Sequence, residues 1–380
     1  MNQRPWRWDL VCRVVDNLGD AAVLWRLARQ LSVEHDERVR LLVDQPDVLE
    51  RLVPGAKPGR RLDGVAIESL SDEPPTAQQP ESGGGDADVV VTGFHAALPP
   101  WYRRGMTARR PLWINLEYLS AEEWIDRFHG LPSPHADGLT EHFFYPGFTK
   151  GSGGLLRESD LLARRDDFLR GGDSTGFLAA LGVQRRAAEV TASILCYPDA
   201  PLDLLAHRLA SSSTRLHLLV PEGAAKVADD AAALHHASQG RLLITRIPFL
   251  PQRDYDRLLW SCDLNFVRGE DSLVRAVWSG RPFVWQIYPQ EKAAHLGKLE
   301  AFLRLMPGKP LAEAHRWWNR VPGAGSEALT HLVAQPESAQ GCLRLLSLQT
   351  AASDLTSRLL TFTGALAAVP VQASGTAGKL

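Results

Sequence analysis

Residues 264–290 read LNFVRGEDSLVRAVWSGRPFVWQIYPQ, and the architecture of the chain can be worked out from them. An apolar run, Leu264, Phe266 and Val267, preceded by Cys262 and Asp263, has the composition of the end of a buried strand. A polar turn follows, Arg268-Gly269-Glu270-Asp271. Ser272 then stands as an N-cap before a run whose apolar members Leu273, Ala276 and Val277 recur at helical spacing. Gly280 and Pro282 stop that helix, and 282–287 reads as the next buried strand. Strand, polar turn, helix and strand form one doubly wound α/β unit. In such units ligands bind beyond the carboxyl ends of the strands, where amides of the helix start face a bound anion.

The turn specifies a kind of ligand. Arg268 can neutralise and fork a phosphate, and Ser272 with the following amides adds donors. Glu270 and Asp271 would repel a bare phosphate, but a carboxylate accepts hydrogen bonds from adjacent sugar hydroxyls. The set therefore fits a nucleotide diphosphate carrying a sugar. The same residues also fit a capped helix beside a solvated charged loop, and the turn alone weighs the two equally.

At 380 residues the chain has room for two domains with separate cores. Its 42 basic and 44 acidic residues argue against a general nucleic-acid or membrane surface. No apolar run approaches a membrane span, and MNQRPWRWDLVCRVVDNLGD lacks the apolar core of a signal peptide, so a cytoplasmic location is expected. Cys12, Cys196 and Cys262 sit in or beside apolar runs, which predicts buried free thiols; Cys342 is far from all of them.

Strands are expected at 10–15, 39–43, 65–67, 88–92 and 113–116, with a helix over 21–31 and another starting near Ser120. The run SDEPPTAQQPESGGGD reads as a surface loop. The charged stretch 155–189 carries a glycine-rich break at 171–176, where a domain linker is expected. A second alternating series follows, with strands at 190–195, 215–220 and 241–244, and helices at 201–210, 291–303 and 355–368. The tail VQASGTAGKL is expected to be disordered.

Three long stretches, RGEDSLVRAVWSGRPFVWQIYPQ, WDLVCRVVDNLGDAAVLWRLARQL and HFFYPGFTKGSGGLLRE, resemble the EarP family of bacterial protein-arginine rhamnosyltransferases that modify elongation factor P. The resemblance covers most of 8–302. It implies a GT-B glycosyltransferase: two Rossmann-like domains facing across a cleft. Residues 1–160, completed by 350–368, would form the acceptor domain, and 185–345 the donor domain. It also implies an inverting transfer of rhamnose from dTDP-β-L-rhamnose, a co-substrate, with no cofactor and no metal.

Asp16 and Asp20 lie in the turn after the first strand, on the ligand side of an open sheet. From spacing alone Asp16 is as well read as a turn former and Asp20 as an N-cap. A guanidinium is a cation with a delocalised lone pair, so it needs carboxylates to orient it and one to take its proton as the new bond forms. The resemblance implies Asp20 as that base, Asp16 as the positioning acid, and Glu270 in both the catalytic and donor-binding sets. It further implies a base site at Phe249, Gln252 and Tyr255, and a diphosphate contact from Tyr197; Tyr288 is a further phosphate-side candidate. Without it, Phe249 reads as a core plug, Tyr255 as a helix-surface residue and Tyr288 as a strand-end tyrosine. Tyr255 stands where the family has phenylalanine, keeping the ring. Leu195 also replaces a family phenylalanine, which bears on one wall of the sugar pocket.

Asp86-Ala87-Asp88 has the spacing of metal-dependent glycosyltransferases but sits at a loop end, where solvation explains it. The histidines lack zinc-site spacing, and neither a dinucleotide glycine fingerprint nor a nucleophile elbow is present. Two other functions remain open: a GT-B enzyme with a small-molecule or glycan acceptor, and a non-catalytic module that binds the translation factor.

Overall fold

The computed structural model describes residues 4–15, 18–74, 86–186, 189–222, 224, 229–290, 294–306, 308–340, 346 and 354–368. The chain forms two sheets. The first contains β1 (Arg7–Cys12), β2 (Arg38–Val43), β3 (Arg60–Leu62), β4 (Val65–Ser69), β5 (Val89–Gly93), β6 (Leu112–Leu116), β7 (Pro132–Pro134) and β8 (Thr140–Phe144), in the order β3-β4-β2-β1-β5-β6-β8-β7. Only the short outer pairs, β3 with β4 and β7 with β8, are antiparallel. The second contains β9 (Glu189–Ile194), β10 (Arg215–Pro221), β11 (Leu242–Ile247), β12 (Leu264–Arg268) and β13 (Phe283–Gln286), all parallel, in the order β11-β10-β9-β12-β13.

Each sheet starts in its middle, builds outward on one side, then returns to build on the other. The order therefore reverses between β1 and β5 in the first sheet and between β9 and β12 in the second. Crevices for ligands open at such reversals, beyond the carboxyl ends of the strands. The central strands are buried along nearly their whole length, as parallel strands covered by helices on both faces must be.

The helix Gly19–His35 lays Leu24, Leu27 and Leu31 on the first sheet, and the terminal helix Leu355–Ala368 adds Leu355 and Leu359 to the same core. The second core gathers Phe266, Trp278, Phe283, Phe302 and Trp318. Burying each such ring contributes about 2–3 kcal/mol.

The linker expected at 171–176 is displaced. Helices Leu161–Arg170 and Asp173–Ala180 flank that break, and their Leu161 and Leu178 both belong to cores of the second half. The chain crosses earlier, where residues 155–158 are gripped from both sides. Gln30 Nε2 donates to Arg157 O at 2.9 Å, and Trp278 Nε1 donates to Leu156 O at 2.9 Å. The first strand is also shifted, to Arg7–Cys12: beyond Cys12 the Val14 and Val15 amides donate to the Asp44 and Asp20 carboxylates instead of to a neighbouring strand. The helix expected from Ser120 is a single turn, Ile125–Phe128. Cys12, Cys196 and Cys262 are buried free thiols as expected, while Cys342, most of the 68–86 loop and the tail lie outside the described residues. Among the described residues, no helix is long and apolar enough to cross a membrane.

Candidate active site

The two reversal points face each other. From the second half come the end of β9 with Tyr197 and the turn from β12 into the helix Asp271–Ser279. From the first come the start of the helix Gly19–His35 and the ends of β5 and β6.

The turn after β12 needs Gly269 at φ +65°, a left-handed conformation that glycine adopts without strain. Trp285 Nε1 donates to Gly269 O at 2.8 Å and fixes it. Arg268 reaches back to donate from Nη1 to Cys196 O at 2.8 Å, and its guanidinium lies 4.9 Å from the centre of the Tyr197 ring. Tyr197 N donates to Gln286 Oε1 at 2.7 Å, and the Tyr288 ring meets the Tyr197 ring edge-on at 5.4 Å. Tyr197, Phe249, Gln252, Tyr255, Arg268, Glu270, Asp271 and Ser272 all line one pocket, with Leu195 and Ala22 in its wall. An adjoining cavity of about 580 Å³ is lined by Asp20, Tyr118, Glu270, Tyr288 and Lys298. Gly19, Tyr197, Arg268, Gly269 and Glu270 belong to both.

Several residues sit differently from their expected roles. Ser272 is not the N-cap; Glu270 is, and Ser272 lies within the first turn. Its hydroxyl accepts from Arg268 N at 3.2 Å and donates to Arg268 O, closing the turn on itself. Asp20 is likewise inside its helix, whose N-cap is Leu18, so the capping alternative fails. Its carboxylate accepts from Val15 N at 2.8 Å and is 4% exposed, facing the cavity. Asp16 lies outside the described residues. Gln252 donates from Nε2 to Ala22 O at 2.9 Å, so its amide nitrogen is already committed to the facing half. Phe249 packs against the first core with Arg51 stacked 4.2 Å from its ring centre, and it lines the pocket. Tyr255 is half-buried against the second core rather than on the helix surface, and burial pushes its hydroxyl well above the usual phenol range.

Glu270 is the meeting point of the halves. Its Oε2 accepts from Leu119 N at 2.7 Å, just beyond β6, and its Oε1 accepts from Lys298 Nζ at 3.1 Å. Loss of water raises its carboxyl pKa above the ordinary value; Lys298 and the Leu119 amide oppose this, and the Asp20 charge adds to it. Asp20 and Glu270 line the same cavity. Asp271 Oδ1 accepts from Arg26 Nε at 2.9 Å, a second charged link between the halves.

Lys298, Tyr118 and Arg26 have no counterpart among the sequence-derived candidates. Tyr118 stacks on Phe94 at 4.8 Å, and Lys298 lies 5.9 Å from the Tyr118 ring centre. Lys298 sits in an unremarked helical run, and Arg26 looks like an exposed helix arginine, so their sequence carried no signal.

The Asp86–Asp88 pair is at the opening of β5, the edge away from the cleft. Asp86 pairs with Arg109 at 2.8 Å, and Asp88 accepts from Arg7 N at 2.9 Å. Among the described residues, no group of three or more acidic, histidine or cysteine side chains is arranged to hold a metal ion.

The sequence model of the family "Elongation-Factor P (EF-P) rhamnosyltransferase EarP" matches residues 8–364. The chain belongs to the EarP family. A protein-arginine rhamnosyltransferase of Pseudomonas aeruginosa is 45% identical over 378 residues, covering 93% of this chain and 98% of that one. A solved structure concerned with EarP-mediated arginine glycosylation of translation elongation factor EF-P superposes with a TM-score of 0.60 at 30% identity, covering 95% and 99% of the two chains. A UDP-glucosyltransferase from Polygonum tinctorium shares the fold alone, with a TM-score of 0.53 at 12% identity and 96% and 99% coverage. This EarP-family chain is thus a glycosyltransferase with the GT-B architecture.

Proposed function

We propose that the enzyme transfers L-rhamnose from dTDP-β-L-rhamnose to an arginine side chain of elongation factor P, in the cytoplasm, with inversion at the anomeric carbon. The observation that carries this reading is the placement of Asp20 and Glu270 on opposite walls of one cavity that opens into the pocket of the Arg268–Ser272 turn. The names of the family and of its curated relatives support the acceptor and the sugar.

The pocket between Tyr197, Phe249, Gln252 and Tyr255 takes the nucleotide, with the Phe249 ring stacking on the base. Arg268, the amides opening the helix Asp271–Ser279, and the Tyr197 and Tyr288 hydroxyls stabilise the diphosphate, whose charge grows as it leaves. Glu270 accepts from sugar hydroxyls. Asp20, with Asp16 beside it in the chain, holds the acceptor guanidinium by charge-assisted hydrogen bonds. As the arginine nitrogen bonds to the anomeric carbon, the bond from that carbon to the diphosphate oxygen breaks, and the nitrogen's proton passes to Asp20. One displacement without a covalent intermediate inverts the centre. The bound cation never has to be deprotonated beforehand.

The test is purified enzyme with dTDP-rhamnose and elongation factor P, read by intact-protein mass spectrometry. A gain of one deoxyhexose on an arginine of the factor is expected. Donor hydrolysis with an unmodified factor would overturn the acceptor and favour a small-molecule or glycan acceptor.

A further inference from the structure

Three residues of the nucleotide-side pocket are hydrogen-bonded to the other half: Gln252 to Ala22 O, Glu270 to Leu119 N, and Asp271 to Arg26. The last link is part of a buried ionic cluster. Arg26 is 5% exposed and Arg275 is 2% exposed; they face Glu158, Asp256 and Asp271.

The two arginines divide this work unequally. Arg275 lies on the same helix as Asp271 but does not bond it. It grips Asp256 with Nε at 2.8 Å and Nη2 at 2.7 Å, and Glu158 with Nη1 at 2.7 Å. These are short, forked, charge-assisted bonds that satisfy both acids. Arg26 meets the same two acids only at 3.3–3.4 Å, and its shortest contact is Asp271 at 2.9 Å. What Arg26 alone supplies is the partner of Asp271.

That partner answers a problem posed by the turn. A carboxylate beside a bound diphosphate repels it unless neutralised and turned aside. We propose that Arg26, from the acceptor half, is a positioning residue for the donor site: it neutralises Asp271 and orients its carboxylate so that the pocket accepts the nucleotide sugar. The inference rests on the donor reading given above. It makes the donor site a property of both halves rather than of the second half alone. Buried ionic clusters are weak sources of stability compared with well-packed apolar groups, so orientation accounts for this one better than stability does.

The experiment compares Arg26→Lys with Arg275→Lys, both of which keep the charge and disturb the same cluster. Calorimetry with dTDP-rhamnose and thermal melting are run on the wild type and both variants. Arg26→Lys should lose about tenfold or more in donor affinity, the scale of one hydrogen bond to a charged group, with acceptor KM unchanged. Arg275→Lys should lower Tm and keep wild-type donor affinity. Should Arg26→Lys not fold, the double variant Arg26→Met, Glu158→Gln removes one cation and one anion and should show the same selective loss. Unchanged donor affinity in a folded Arg26 variant, or equal losses in both variants, would overturn the inference while leaving the donor reading intact. Failure of the wild type to bind dTDP-rhamnose would overturn the donor reading and the inference with it.

Discussion

Glu270 meets three demands at once: it stands at the N-cap position of its helix, bonds the Leu119 amide and pairs with Lys298. Its pKa is raised chiefly because it is shielded from water, with Lys298 and the Leu119 amide pulling the other way. A raised carboxyl pKa means the charged form is lost at a higher pH than for a free glutamate. Donor affinity should therefore fall as pH drops, with a midpoint above the ordinary 4.5, and calorimetry at a series of pH values checks it. Glu270→Ala should weaken dTDP-rhamnose binding by about 10–100-fold while the protein stays folded, as expected for removing a charged acceptor of sugar hydroxyls. Unchanged affinity would remove Glu270 from the donor set. At this scale the turn was legible because its residues are consecutive: Arg268, Glu270, Asp271 and Ser272 do line one pocket. What was not legible is who holds them. Arg26 and Asp271 are 245 positions apart, and Gln252 and Ala22 are 230 apart, so no local pattern joins them.

Among elements, the central strands were legible from their apolar runs, and 355–368 reads as the helix Leu355–Ala368 that the structure contains. The crossing between halves was misread because glycines at 171–172 mark a turn between helices of one half, whereas the crossing at Leu155-Leu156-Arg157-Glu158 carries no glycine and is pinned on both sides. The helix Lys309–Trp318 allows a test of packing. His315 is fully buried against Phe283 and Phe302, with Nδ1 donating to Leu311 O at 2.8 Å, and burial pushes its imidazole pKa down to about 4. An unfolded histidine titrates near 6.5, so below that pH the unfolded chain gains a proton that the folded chain refuses until about 4. This contribution is fully present above pH 6.5 and is lost as pH falls from 6.5 towards 4. Between pH 7 and 5 it should cost about 2 kcal/mol, a loss that His315→Gln removes. Urea unfolding of both proteins at the two pH values checks this, and parallel losses would contradict it.

For the whole molecule, the division of labour across the cleft makes two claims. The first is independence from metal. Asp86 and Asp88 are paired with arginines or strand amides at the amino end of β5, away from the cleft, and in the proposed reading the diphosphate is met by Arg268 and a helix start. Activity in EDTA should match activity in magnesium; loss in EDTA that manganese or magnesium restores would contradict this. The second is that proton removal resides in the first half, at Asp20, a side chain that donor binding does not require. Asp20 lies inside its helix, so Asp20→Asn removes no cap and should change stability by less than about 1 kcal/mol. The asparagine cannot take the proton, and loss of a general base lowers rate by about 10²–10⁴-fold. The deciding measurement is rhamnosylation of elongation factor P by this variant, followed by intact-protein mass spectrometry, beside calorimetry of its donor binding. A folded protein with wild-type affinity for dTDP-rhamnose and a rate reduced by about 10²–10⁴-fold is the predicted result. Near wild-type turnover by Asp20→Asn would contradict it.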